Sequence, residues 1–263
     1  MPMFPFHIWL PQAHTEAPTE GSVILAAILL KLGTYGFLRF SIPLFPSATL
    51  YFTPFVSLLA IIGVLYSCIA ALSLIDLKQI IAYSSIAHMN VSIIGLFSND
   101  LNGLTGCFLY TIAHGFVSAG LFLLVGFLYS RYHTRTLKYY RGLVLILPLY
   151  VCFFFFFVLF NLSFPGSLGF IAEIFIYFSS LTLSPIILFL ISFVTIFLPI
   201  YFIWTFQKIS FGALSPYLSS IYSDLSFKEF HILLPLFSLT IFFGFFPSLL
   251  FNLIELPLGS ILI

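Results

Sequence analysis

Four ionisable side chains lie where few ionisable side chains occur. Lys31, His88, His114 and Glu173 each sit inside an apolar stretch long enough to cross a bilayer. A charged group near the bilayer centre costs at least about 2.5–3.5 kcal/mol, so each must be paired, hydrated or neutral. At about 1.5 Å of helix per residue, Lys31 lies about 15 Å beyond Gly21, His88 about 15 Å beyond Lys78 and His114 about 18 Å beyond Asn102. Glu173 lies about 12 Å beyond Pro165-Gly166 on the same arithmetic. All four fall near mid-depth, on four different segments. Lysine, histidine and glutamate all gain and lose protons, so a row of them joined by water would form a proton relay. Taken singly, a mid-span histidine is more often a packing residue. Glu173 is harder to set aside, as the only charge between Gly142 and Gln207.

Polar neighbours recur at helical spacing. Tyr110, His114 and Ser118 are four apart and share one helix face, and Ser84 and Ser85 precede His88 by four and three residues. They either line the same hydrated path or hydrogen-bond within a bundle interior. The run from Asn161 through Pro165 and Gly166 would interrupt a helix. Irregular backbone at membrane depth is tolerated where protein buries it or water reaches it, and broken helices mark ion sites in transporters. A plain proline kink is the other reading.

The segments that must hold these groups follow from the composition. Of 263 residues, 61% are hydrophobic and 6% are charged. Soluble domains carry about 25% charged residues, so a soluble globular domain, a disordered chain and a nucleic-acid binder are excluded. An all-α, polytopic membrane bundle remains. The charge map predicts a helical stub over about 1–15, then spans over about 18–40, 52–74, 77–97, 102–130, 143–184, 185–207 and 229–252 in a single membrane domain. The fifth of these about seven spans is too long for one straight helix and is expected to break near Pro165-Gly166. Cys68, Cys107 and Cys152 stand alone, without the paired spacing of zinc or iron–sulfur ligands. Arg131, Arg135, Lys138 and Arg141 crowd one short loop, which is expected to face the compartment of insertion. Lys208 and Lys228, two crossings later, and Lys78, two crossings earlier, agree with that orientation.

Long ordered blocks resemble a known family. PFHIWLPQAHTEAPTEGSVILAAILLKLGTYGFLRF, LKQIIAYSSIAHMN, AHGFVSAGLFLLVG, YSRYHTRTLKYYRGL and FPGSLGFIAEIF are similar to the NADH dehydrogenase subunit 4 family, antiporter-like proton-pumping membrane subunits of respiratory complex I. The resemblance runs from residue 1 to about residue 250 and is closest to mitochondrial members. It implies that Lys31, His88, His114 and Glu173 are the central relay residues, with no metal and no cofactor held by this chain. NADH, FMN, iron–sulfur clusters and ubiquinone are then expected in partner subunits. It implies a mitochondrial inner membrane, or a bacterial plasma membrane if the chain is not organellar, with loop 131–141 on the matrix side. Partners would be other membrane-arm subunits and lipids, with no nucleic acid. The family's glutamate on helix five and lysine on helix seven have no counterpart in this sequence. A companion chain supplying the missing N-terminal half is therefore expected, packed against the first residues. A cation/proton antiporter subunit of the Mrp type, a haem protein ligated by His88 and His114, and a non-pumping structural remnant are the competing readings.

Overall fold

The structure, a computed structural model, describes residues 1–218 and 223–262. Helix after helix begins where the sequence supplies a start signal. After the short α1 (Trp9–Glu16) comes α2 (Thr19–Leu44), entered after Pro18. Pro46 opens α3 (Pro46–Ser73), Pro148 opens α6 (Pro148–Asn161) and Pro185 opens α8 (Pro185–Ser210). Proline suits this position because its fixed φ is helical and its missing N–H would be unpaired anyway. α9 (Phe227–Phe245) starts with a reciprocal cap in which Ser226 and Glu229 satisfy each other's backbone amides. The remaining elements are α4 (Leu77–Leu96), α5 (Leu101–Tyr132), α7 (Leu168–Leu183) and α10 (Ser248–Leu262). Among the described residues six helices, α2 to α5, α8 and α9, are long and apolar enough to cross a membrane.

The bundle is ordered from the inside out. α4 and α5 are central, with 89% and 78% of their most apolar windows buried, whereas α9 has 11% buried and lies outermost. That explains why serines, asparagine and the two mid-span histidines concentrate on the inner pair: polar groups there meet protein, not hydrocarbon. α2 departs from regular α geometry on both sides of Lys31, with π-type turns over Leu25–Leu29 and Phe37–Ser41.

Two helix limits differ from the sequence expectation, and one expected break lies where the sequence puts it. The second span begins at Pro46, not residue 52, because the polar run after the proline is already helical. The expected interruption in 143–184 spans 162–167, between α6 and α7. Ser163 there adopts φ 52° and Gly166 φ 99°, left-handed conformations that end a helix. The expected single span over 229–252 is two helices, α9 and α10, with Pro247 between them. Phe246 precedes that proline and is driven out of the helical region, at φ −121° and ψ 62°. Hydropathy continues across the break and conceals it.

Glycines set the close approach of the inner helices to α7, and Gly106 is the one next to the site. A Cβ on Gly106 of α5 would lie 2.9 Å from the Phe175 Cβ and 3.0 Å from the Ile176 backbone nitrogen of α7. Gly106→Ala is therefore expected to destabilise the chain by about 1–3 kcal/mol, the usual cost of overpacking. Gly36→Ala meets nothing within 4 Å and serves as the control. Thermal unfolding in detergent should separate the two, and equal midpoints would show that the close approach is not rigid.

Candidate functional site

The α5–α7 approach at Gly106 brings the next turn of α5 against the second turn of α7. Tyr110 hydroxyl donates to Glu173 Oε1 at 2.8 Å. Ser163, in the break between α6 and α7, donates to the same oxygen at 2.7 Å. On its other side Tyr110 hydroxyl is hydrogen-bonded to His88 Nδ1. The phenol has one proton. With that proton given to Glu173, its oxygen accepts from His88, so His88 carries a proton on Nδ1.

The row continues through the second histidine. The His88 and His114 rings lie 5.5 Å apart between centroids, tilted by 57°. His114 Nδ1 is 2.8 Å from Lys31 Nζ, and Lys31 also donates to the Ala26 carbonyl in the first π-type turn. Five side chains on four helices thus run Lys31, His114, His88, Tyr110, Glu173. An ammonium has donors only, so a charged Lys31 donates to His114 Nδ1 and leaves the His114 proton on Nε2.

The gap between the two histidines is polar. His88 Nε2, His114 Nε2 and Asn161 Nδ2 are buried without a hydrogen-bond partner. All three residues line one cavity of about 10 Å³, together with Tyr110 and Ser163. That is room for about one water, and a water needs two to four polar partners, which this cavity offers. At the other end Lys31 stands on the wall of a larger groove of about 430 Å³ with Ala27, Thr34, Thr111 and Gly115. His114, His88, Tyr110 and Glu173 are buried; Lys31 is partly exposed to that groove.

Not every residue singled out from the sequence joins the row. Ser84 and Ser85 both donate to the Ile81 carbonyl, and Ser118 donates to Gly115. Hydroxyls in apolar helices commonly satisfy their own backbone in this way. Pro165 and Gly166 shape the break without touching the row; a Cβ on Gly244 would meet the Gly166 carbonyl oxygen at 2.1 Å, so α9 passes closely over it. Two participants were hidden in the sequence. Ser163 and Asn161 stood within the quoted break but read there as backbone signals. Their spacing to Glu173, ten and twelve residues, is not periodic; only the left-handed turn brings Ser163 back to the carboxylate.

A second polar group lies between the row and loop 131–141. His14 is fully buried, stacks on Phe122 at 4.5 Å, and has no hydrogen-bond partner at either ring nitrogen. Lys78 Nζ donates to the Ala17 carbonyl at 2.8 Å and Arg135 to the Thr15 carbonyl at 2.6 Å. These cations cap the negative end of α1, a structural duty for Lys78 and Arg135. Among the described residues, no group of three or more His, Cys, Asp or Glu side chains is arranged to hold a metal ion.

A broken helix, two central helices carrying histidines and a row of ionisable groups from a lysine to a buried glutamate define an antiporter-like membrane subunit. The chain belongs to the NADH:quinone oxidoreductase/Mrp antiporter transmembrane family, whose profile matches residues 1–199. It is 48% identical to NADH-ubiquinone oxidoreductase chain 4 of Chondrus crispus over 252 residues, 96% of this chain and 51% of that relative. A chain of respiratory complex I from Thermus thermophilus with bound NADH superposes with a TM-score of 0.87 at 28% identity, over 99% of this chain and 55% of that one. A chain of the Mrp complex from Dietzia sp. DQ12-45-1b has the same fold, with a TM-score of 0.90 at 17% identity over 99% and 57% of the two chains. The chain spans about half the length of the curated relatives it matches.

Proposed function

We propose that this chain moves protons across the middle of an energy-transducing membrane, as a membrane-arm component of an NADH:quinone oxidoreductase. The observation that carries the reading is the contiguous row from Lys31 to Glu173, in which each side chain can both take and give a proton except the terminal ammonium. Lys31 gives a proton to His114. The cavity water passes a proton from His114 Nε2 to His88 Nε2. His88 Nδ1 then gives its proton to Tyr110 as Tyr110 gives its own to Glu173. The net result neutralises Lys31 and Glu173 together. Moving one charge against 100 mV costs about 2.3 kcal/mol, which redox chemistry in partner subunits would supply. NADH, flavin, iron–sulfur and quinone sites are assigned to those partners, and the setting to the mitochondrial inner membrane with loop 131–141 in the matrix. The further glutamate and lysine that the resemblance implies are proposed to reach Lys31 through the 430 Å³ groove, from the same or a companion polypeptide.

Tyr110→Phe tests the row itself. It removes one hydroxyl from between His88 and Glu173 and preserves the ring. The rate of proton transfer through the row is expected to fall by about 10²–10⁴-fold, the range for removing a positioned proton carrier, and protons pumped per electron to fall with it, with the assembled complex still present. Vesicles energised by NADH, compared with vesicles energised by a sodium gradient, read the same variant and separate redox-driven pumping from cation exchange. Wild-type pumping by Tyr110→Phe would sink the row; pumping driven by sodium alone would favour the Mrp-type function.

A further inference from the structure

The only ion pair among the described residues joins Arg131, at the end of α5, to Glu229, at the start of α9. It is bidentate, with Nη1 donating to Oε1 at 2.9 Å and Nη2 to Oε2 at 2.6 Å, the geometry that makes such pairs strong and directional. The same guanidinium donates to the Ser223 and Asp224 carbonyls, each at 3.3 Å. Asp224 then turns its carboxylate to α6, accepting from the Leu149 amide at 2.7 Å and the Tyr150 amide at 3.1 Å. Those are first-turn amides that the helix itself leaves unpaired. One guanidinium therefore pins the ends of α5, α6 and α9 on the face that holds loop 131–141.

The pinned helices carry the two donors of Glu173. Tyr110 lies twenty-one residues before Arg131 on α5, about 31 Å along the axis. Ser163 lies just past the far end of α6, about 21 Å long, and Glu173 follows on α7. No backbone hydrogen-bond ladder crosses 162–167, so α6 is not locked to α7 through the main chain, and its other end is held by Asp224. We propose that Arg131 is a positioning residue: through Glu229 and Asp224 it sets the height of α6 beside α5, and so makes Ser163 and Tyr110 converge on one oxygen of Glu173. Its effect on pumping rests on the relay reading above; the geometric effect does not.

The test uses the assembled complex with Arg131→Gln and, as a milder break, Asp224→Asn. Two quantities are read: protons pumped per electron, and the carboxyl stretching band of Glu173 in infrared difference spectra, assigned by its loss in Glu173→Gln. Both variants are expected to move the band to higher frequency as hydroxyl donors withdraw. Arg131→Gln should also lower pumping by about tenfold or more, since misplacement by about 1 Å can cost about 100-fold. A purely structural salt bridge would lower the yield of complex and leave the band unmoved in what assembles, and that result overturns the proposal. If Arg131→Gln does not assemble, an unmoved band in Asp224→Asn overturns it equally. A moved band in a Glu173→Gln background that still pumps normally cannot arise, so the two ideas separate cleanly: normal pumping by Glu173→Gln ends the relay, and a moved band in Arg131→Gln still upholds the positioning.

Discussion

Lys31→Ala is expected to abolish proton pumping while leaving the complex assembled. The ammonium is held by two contacts, the Ala26 carbonyl and His114 Nδ1, and faces a groove, so little packing is lost with it. Leaving His114 Nδ1 without its donor costs about 1–3 kcal/mol, too little to dismantle the bundle around α4 and α5. The loss falls on function, because in the proposed relay no other group can load His114 from the groove side. Lys31→Arg is a useful companion. It keeps the charge but does not release its proton near neutral pH, so it too should fail to pump. The proton-to-electron ratio of purified complex in sealed vesicles decides the matter. A wild-type ratio in either variant would reduce Lys31 to a structural cation.

Glu173→Gln is the second large effect. Both donors, Tyr110 and Ser163, address Oε1, and the amide oxygen of glutamine can accept the same two bonds. Shape and hydrogen bonding are thereby kept, and only ionisation is removed. Pumping is expected to fall by about 10²-fold or more. Glu173→Asp retains ionisation but withdraws the carboxyl by one methylene, about 1.5 Å, from two hydroxyls already at contact distance; an intermediate loss is expected. The order wild type, Asp, Gln in pumping rate, at equal complex content, is the result to look for. Equal rates for Gln and wild type would remove Glu173 from the row.

The sequence disclosed the members of this row better than the links between them. Depth arithmetic selected Lys31, His88, His114 and Glu173 because an isolated ionisable group in hydrocarbon is conspicuous on its own. Tyr110 was placed on the His114 face by helical spacing, yet nothing local says that it lies between His88 and Glu173. That link is tertiary and depends on the bare backbone at Gly106. Ser84, Ser85 and Ser118 shared the right spacing but bond to their own helices; spacing reports a face and not which partner a hydroxyl takes. Ser163 escaped because its direction comes from a left-handed residue in the break. The last span was misjudged for a related reason, since apolar residues run on through Pro247 while the helix does not.

The direction of the Tyr110 hydroxyl has a consequence for counting. In the proposed relay every hydrogen bond between His88 and Glu173 points toward the glutamate. Once a proton has hopped along it, each bond points back, and the wire cannot conduct forward again until the phenol has swung round and His88 has been reloaded on Nδ1. Accepting at Nε2 while giving from Nδ1 leaves the His88 imidazole in its other tautomer, so reloading Nδ1 requires the ring to turn over, or the Nε2 proton to leave and another to arrive at Nδ1. Conduction and resetting are thus separate strokes. A row built this way meters its cargo: one proton passes per reversal, and a membrane potential pressing on it between strokes finds no continuous path to leak through.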